Sequence, residues 1–104
     1  MTLATIAGTP VHVDAEGFLT EYDEWNEALA GQLAAGIGIE LGDAHWKAIR
    51  FLRDDFPAQG ETATLRRVST LAGIPIKELF ALFPGKPAKK MAYIAGLPKP
   101  HGCV

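Results

Sequence analysis

The sequence is almost without cysteine, since its 104 residues contain only Cys103. A single thiol cannot form a disulfide within the chain, which excludes a domain stapled by internal disulfides. The three histidines stand far apart and show no metal-ligand spacing with the cysteine, and no Gly-rich phosphate loop follows a strand. We therefore expect neither a metal site nor a bound cofactor.

Positive charge and long apolar runs are also scarce. Ten Lys and Arg residues stand against twelve Asp and Glu residues, and the formal net charge of −2 argues against a general nucleic-acid binder. No apolar run approaches the length of a membrane-spanning helix, and the first residues lack the basic stretch of a secretory signal. The sequence predicts a cytoplasmic protein without membrane contact, in a compartment that keeps Cys103 reduced.

The composition that is present, 48% hydrophobic and 21% charged, is typical of a small globular domain. Short β-prone runs at residues 5–6 and 11–13 predict an N-terminal hairpin over about residues 1–20. Residues 14–17 have the composition of a second turn. The chain therefore begins with a small β-structure.

A first helix is predicted over about residues 22–35, where apolar residues recur every three to four positions. Thr20 and Asp23 have the spacing of a weak capping box at its start. Gly36 and Gly38 are expected to end it.

A stronger amphipathic pattern predicts the main core helix, from Gly42 or Asp43 up to Pro57, which we expect to stop it. His45, near its start, is expected to pack or to cap the helix. The apolar side of this helix is formed by Trp46, Ile49, Leu52 and Phe56.

Three shorter helices are predicted to end at Gly73, before Pro84 and at Gly96, the last of them beginning at Lys86-Pro87. Their apolar positions are Leu65, Val68, Leu71, Ile76, Leu79, Phe80, Phe83, Met91, Ile94 and Ala95. The predicted fold class is mainly α: a compact bundle of about five short helices with an N-terminal β-hairpin and a flexible C-terminal arm. The helical domain is predicted to occupy residues 1–95 and the arm residues 96–104.

Cys103 lies on this arm together with two prolines and two glycines. Such residues neither continue a helix nor pair as a central strand, so we expect the arm to be exposed from Gly96 onward. Its nine residues span up to roughly 30 Å when extended, enough to place the sulfur in a partner's cleft. The alternative is a frayed tail with an incidental thiol.

A sulfur-carrying thiol must be reachable and partly ionised at neutral pH. The carboxylate of the adjacent Val104 disfavours the thiolate, whereas Lys99, a protonated His101 or a partner's positive site favours it. We expect a thiol that is activated after docking and that exchanges a sulfane sulfur by a relative of thiol–disulfide exchange. A fixed catalytic pair of Cys103 with His101 is less favoured, because close neighbours on an extended arm seldom keep one hydrogen bond.

Residues 62–83 permit a different interpretation, a helix-turn-helix in which Arg66 and Arg67 meet the phosphates of DNA. The second helix, residues 76–83, carries one cation and one anion among large apolar residues, which favours burial over base reading. Basic residues are nonetheless concentrated in the C-terminal half and acidic ones in the N-terminal half. This asymmetry would steer the arm toward an acidic protein surface or an RNA-bound partner, unless the charges are merely solvated.

The end of the chain, residues 94–104, reads Ile-Ala-Gly-Leu-Pro-Lys-Pro-His-Gly-Cys-Val. Other segments in matching order are residues 17–19, 25–27, 41–46, 49–53, 82–84 and 87–89. Together they resemble the TusE/DsrC family of sulfur-carrier proteins, and the resemblance covers nearly the whole chain. It implies a small helical domain with an N-terminal hairpin and a flexible arm, whose penultimate cysteine carries a persulfide sulfur.

The resemblance also implies partners. These are a protein sulfur donor of the TusBCD or DsrEFH type and a protein acceptor, either a tRNA-thiolating enzyme or a sulfite-reductase-like enzyme, with tRNA contacted only indirectly. DsrC-type members use a second cysteine eleven residues upstream, where this chain has Ala92. Its absence favours the single-cysteine, TusE-like branch.

The predicted function is that of a sulfurtransferase-type persulfide carrier in a sulfur relay, serving tRNA wobble-uridine 2-thiolation or sulfur oxidation. Cys103 is the candidate catalytic residue. The candidate binding residues are Arg66, Lys89, Lys99 and Gly102, and the resemblance places Arg66 near the base of the arm. The alternative function is a DsrC-like regulatory or sulfite-reductase-associated module that contacts DNA through residues 62–83.

Overall fold

Two antiparallel strands begin the chain in the computed structural model, which describes residues 2–6 and 8–100. Strands β1 (Thr2–Ile6) and β2 (Thr9–Val13) pair with Ile6 opposite Thr9. The predicted hairpin is confirmed, and its first strand is longer than the two residues that the β-prone run indicated.

The second turn, at residues 14–17, is also confirmed. The Asp14 carboxylate accepts hydrogen bonds from the backbone N–H groups of Glu16 and Phe18 at 2.9 and 3.0 Å. Leu19 then pairs with Val13 in an isolated bridge. The turn is therefore held by its own side chain, and it fixes the positions of Glu16 and Phe18.

The first predicted helix is divided in two. A 3-10 turn, Tyr22–Glu24, precedes helix α1, Glu27–Gly36. The predicted cap at Thr20 and Asp23 is wrong, because Asn26 adopts an extended backbone and its side chain accepts the N–H of Leu29 at 2.8 Å. An asparagine in this position satisfies an N–H group that the first helical turn leaves free, so the helix begins there.

Helix α2, Asp43–Gln59, begins where predicted, with Gly42 before its first turn. His45 caps it as expected: its Nδ1 accepts the Gly42 N–H at 3.1 Å, and its Nε2 therefore donates to the Leu82 carbonyl at 2.9 Å. The predicted stop at Pro57 is wrong, since the helix continues to Gln59.

A side chain from outside the helix explains this continuation. Pro57 has no N–H to donate to the carbonyl of Arg53, four residues earlier. The hydroxyl of Tyr22 donates to that carbonyl instead, at 2.7 Å. Helix α2 ends at Gln59. The next residue, Gly60, caps it with a left-handed backbone whose φ is 73°.

Three short helices complete the chain: α3 (Leu65–Ala72), α4 (Ile76–Leu82) and α5 (Pro87–Ile94). Their predicted ends are confirmed. The predicted burial of the apolar residues on α4 is wrong in part, because Leu79 is fully buried but Ile76 and Phe80 remain 40% and 42% exposed. Ile76 and Phe80 lie one turn apart on the same face, so this short helix packs through one side only.

The buried side chains form two clusters. The larger joins all five helices, and its bulky members include Ile49, Leu52, Phe83, Met91 and Ile94. The smaller holds the hairpin against α1 through Val11, Val13, Leu19, Leu29 and Leu33. Each large apolar side chain that is fully buried contributes roughly 1.5–3 kcal/mol to folding. The predicted fold class, a mainly α bundle of five helices with an N-terminal hairpin, is confirmed. Across residues 2–6 and 8–100, no helix combines the length and apolarity that crossing a membrane requires.

Candidate functional site

The predicted arm is described as far as Pro100. Cys103, with His101 and Gly102, lies outside the described residues, and so does the carboxylate of Val104. The site that the structure defines is therefore the root of the arm, residues 94–100, and its surroundings.

The arm root turns back into the helical domain. Gly96 takes a left-handed backbone with a φ of 70°, and the N–H of Leu97 donates to the carbonyl of Ala92 at 3.0 Å. The side chain of Leu97 is fully buried in the larger core cluster. The predicted exposure of the arm is therefore wrong for Gly96, Leu97 and Pro100, which are buried, and holds for Pro98 and Lys99.

Trp25 holds the arm root from one side. Its indole Nε1–H donates to the carbonyl of Ile94 at 2.8 Å. A Cβ atom on Gly96 would lie only 2.4 Å from Cδ1 of Trp25. The backbone of the arm thus passes against the indole ring at a distance that only glycine permits.

Arg53 holds the arm root from another side. Its guanidinium donates to the carbonyl of Ala95 at 3.2 Å and to that of Tyr22 at 2.9 Å. It also lies over the Tyr22 ring at 3.7 Å and the Trp25 ring at 4.4 Å. Burial lowers the pKa of Arg53, against the opposing influence of nearby negative groups such as Asp23. The side chain stays charged, because an arginine does not lose its proton in proteins.

Thr62 provides a third attachment. Its hydroxyl donates to the carbonyl of Pro98 at 2.7 Å, and the residue is only 3% exposed. Three side chains from separate parts of the chain, Trp25, Arg53 and Thr62, therefore bind three carbonyl oxygens of the arm root. We call these three residues the arm-root clamp.

Beyond the clamp, Lys99 points its ammonium group at the carboxylate of Glu16, at 3.4 Å. Glu16 also lines an open cleft of about 510 Å³ beside the start of α5. We call this space the basic cleft, and it is lined by Glu16, Phe18, Ile37, Gly85, Lys86, Lys89, Lys90 and Tyr93. The predicted binding residue Lys89 thus lines the basic cleft, and Lys99 pairs with another of its lining residues, Glu16.

The predicted binding residue Arg66 is exposed on α3. Its neighbour Arg67 is engaged in a bidentate pair with Asp55, at 2.9 and 2.7 Å, and this hydrogen bonding raises the pKa of Arg67. Within residues 2–6 and 8–100, Arg66 therefore has no carboxylate partner, whereas Arg67 is engaged. The exposed face of α4 beside them carries Ile76 and Phe80, which suits contact with protein better than contact with base edges.

A protein-family model described as DsrC like protein matches residues 5–104. The chain belongs to the DsrC-like family. It is 41% identical to the sulfurtransferase TusE of Sodalis glossinidius, over 93% of this chain and 96% of that protein. It is 36% identical to the dissimilatory-type sulfite reductase subunit gamma of Nitratidesulfovibrio vulgaris, over the full length of both.

Solved structures of the DsrC-like family have the same fold. The NMR structure of Allochromatium vinosum DsrC superposes with a TM-score of 0.85 at 33% identity, over 98% of this chain and 97% of that one. The oxidised DsrC gamma subunit from Archaeoglobus fulgidus superposes with a TM-score of 0.81 at 36% identity, over 99% and 100%. The predicted family is confirmed.

In this DsrC-like chain, the position eleven residues before Cys103 is a fully buried alanine, Ala92, whose carbonyl accepts the Leu97 N–H. No group of three His, Cys, Asp or Glu side chains within residues 2–6 and 8–100 is arranged to hold a metal ion. The described site is an arm root held by three side-chain hydrogen bonds beside a basic cleft.

The sequence patterns did not point to the clamp. Trp25 lies within the range of the first predicted helix, and Arg53 within that of the main core helix. Thr62 was noted only as the start of the helix-turn-helix segment. Their partners on the arm root are 69, 42 and 36 residues away along the chain. Spacing within one element carries no information about contacts at such separations.

Proposed function

We propose that this protein is a sulfur carrier in which Cys103 holds a sulfane sulfur as a persulfide between a donor protein and an acceptor protein. The observation that carries the proposal is a lone cysteine three positions beyond Pro100, the last buried residue of the described arm root. Membership of a family whose relatives are named sulfurtransferase TusE supports a role in sulfur transfer.

The proposed chemistry needs one thiolate and no oxidant. The Cys103 thiolate attacks the outer sulfur of a persulfide on the donor, so a new S–S bond forms as the donor's S–S bond breaks and the donor leaves as a thiolate. A thiolate on the acceptor later attacks the outer sulfur of Cys103 in the same way. Electrons and atoms balance in both steps, and Cys103 is regenerated.

The arm-root clamp fixes the point from which the arm leaves the helical domain. Because the carbonyl of Pro98 is bonded to Thr62 and Pro100 is buried, the reach of Cys103 is set by the three residues that follow Pro100, which span roughly 10 Å when extended. A short tether with a fixed start loses less conformational entropy on docking than a long free tail. The thiol is thereby presented to a partner from a constant place on the domain.

The single thiol favours a relay. With Ala92 at the upstream position, the chain has no second cysteine with which Cys103 could close an internal disulfide. We therefore infer a TusE-like role in the cytoplasm, between a TusBCD- or DsrEFH-like donor and a tRNA-thiolating acceptor, with a sulfite-reductase-like acceptor as the other pathway. Gly102 and Lys99 flank the thiol on its arm, and Arg66 and Lys89 are proposed to contact the partners.

Loading of the thiol tests the proposal. The protein is incubated with glutathione persulfide, and intact and digested masses are recorded. A gain of one sulfur atom on the peptide that holds Cys103 is expected, because sulfane sulfur passes between thiolates without any further group.

Cys103→Ser is the matched control and should gain nothing. An unmodified wild-type protein, with small persulfides and with every candidate donor protein, would contradict the proposed function.

A further inference from the structure

The basic cleft has a charge opposite to that of the whole molecule. The chain has a formal charge of −2, yet the residues that line the cleft include three lysines and a single acid, Glu16. That acid is already paired with Lys99 at 3.4 Å. The electrostatic field inside the cleft therefore favours an anionic occupant.

In the part of the chain that the structure describes, two of the three lysines make no side-chain hydrogen bond or ion pair and remain available to such an occupant. The ammonium group of Lys90 donates to the backbone carbonyl of Pro84. Lys86 is exposed and Lys89 half-buried, both in the stretch that begins helix α5. Their long side chains present two separate positive charges at the rim.

The bottom of the cleft is apolar and ordered. Phe18 is only 2% exposed, and its ring meets the Tyr93 ring edge to face with centroids 5.7 Å apart. Ile37 closes the same wall. A volume of about 510 Å³ over such a floor accommodates one large apolar side chain together with its flanking residues.

We propose that the basic cleft is the docking surface for an acidic segment of a partner protein. One apolar side chain of that segment rests on Tyr93 and Ile37, beside the buried Phe18, and carboxylates on either side of it face Lys86 and Lys89. The inference deepens the proposed function, since the Lys99–Glu16 pair joins the cleft to the arm: a partner bound in the cleft lies beside the chain that leads to Cys103.

The chemistry of the cleft favours a protein segment over a nucleic acid. Two available lysines neutralise few phosphates, and the negative charge of the whole chain opposes a polyanion of high charge density. An apolar side chain on the floor adds affinity that a phosphate backbone cannot supply, and such a mixed contact is typical of protein interfaces.

The test uses the full chain and a fluorescent poly(Glu,Tyr) copolymer as the probe, because it combines carboxylates with an aromatic side chain. Binding is measured by fluorescence polarisation at two salt concentrations. We expect Lys86→Glu and Lys89→Glu each to weaken binding by at least about tenfold, and added salt to weaken wild-type binding, as for an electrostatic contact.

Lys77→Glu is the matched control, because Lys77 is an exposed lysine on α4 outside the cleft and the change in charge is the same. Lys86 is exposed, so its substitution leaves the fold intact, which circular dichroism verifies. Equal losses in Lys77→Glu and Lys86→Glu, or no binding by the wild type, would overturn the proposal.

Two further probes test whether a molecule other than an acidic protein segment occupies the basic cleft. Tighter binding of a twelve-nucleotide RNA, lost in the same two variants, would assign the cleft to nucleic acid. Binding of the free peptide His-Gly-Cys-Val at these lysines would assign it to the chain's own last four residues. Persulfide loading of wild-type Cys103 is measured separately, so a failure of docking is distinguishable from a failure of sulfur transfer.

Discussion

Gly96 is subject to two separate constraints at one Cα atom. Its φ of 70° is a conformation that other residues adopt at a cost, and Trp25 occupies the space where a Cβ would lie. The same indole donates to the carbonyl of Ile94. The position of the arm root therefore depends on glycine at residue 96 as well as on the hydrogen bonds of the arm-root clamp.

Gly96→Ala should destabilise the protein by about 2–4 kcal/mol, because it combines left-handed strain with overpacking against Trp25. Urea unfolding measures this difference. Gly31→Ala is the control: Gly31 lies inside α1 with open space around its Cα, and alanine there should stabilise by about 0.5–1 kcal/mol. Equal effects of the two substitutions would contradict the role given to Gly96.

Helix α2 continues through Pro57 because Tyr22 replaces the hydrogen bond that the proline removes. Tyr22→Phe should cost about 1–2 kcal/mol, since it leaves the partly buried carbonyl of Arg53 without a donor. The ring of residue 22 would still stack on Phe56 at 5.9 Å. The expected loss of stability therefore comes from the Tyr22 hydroxyl alone.

A double-mutant cycle isolates this hydroxyl. Pro57 is exposed, so Pro57→Ala loses little packing and restores an N–H that can donate to the Arg53 carbonyl. Tyr22→Phe should then cost less than half as much in the Pro57→Ala background, as measured by chemical unfolding. Simple additivity of the two changes would show that Tyr22 does not substitute for the missing N–H.

The ends of the helices show what local sequence can predict. The ends at Gly73 and Gly96 follow from residues within one turn of the boundary, and both were predicted. The predicted end at Pro57 was wrong, because the helix continues through the proline with the help of Tyr22, 31 residues away from Arg53. The start of α1 depended on choosing among several capping side chains, and Asn26, not Thr20, adopts the required geometry.

On the scale of the whole molecule, one carboxylate ties the hairpin to the helical domain. Glu24 accepts the backbone N–H of His12 at 2.7 Å and pairs with its Nδ1 at 2.8 Å. Hydrogen bonding from the His12 backbone, more than from its side chain, lowers the pKa of Glu24. A lowered pKa means that the folded protein favours the ionised carboxylate more than the unfolded chain does.

This contribution to stability is present at neutral pH and is lost as the pH falls from about 5 through the lowered pKa of Glu24. Glu24→Gln should therefore lower the melting temperature at pH 7 and flatten its decline in acid. Glu27→Gln, which removes an exposed pair with Arg50, is the control and should change little. Parallel pH profiles for the wild type and Glu24→Gln would contradict this assignment.

The family and the helical bundle could be predicted from the sequence, because a terminal motif and the apolar periodicity carry them, whereas the role of Cys103 stays a prediction. The arm-root clamp and the basic cleft could not be predicted from the sequence. Both bring together residues from distant parts of the chain, as when Glu16 meets Lys99 across 83 positions.

The burial of Leu97 also has a mechanical consequence. If a partner binds Cys103 as proposed, any force on the thiol is transmitted along the backbone to the buried Leu97 and to the hydrogen bonds from Trp25, Arg53 and Thr62. These contacts would have to break before the C-terminal end could separate from the helices.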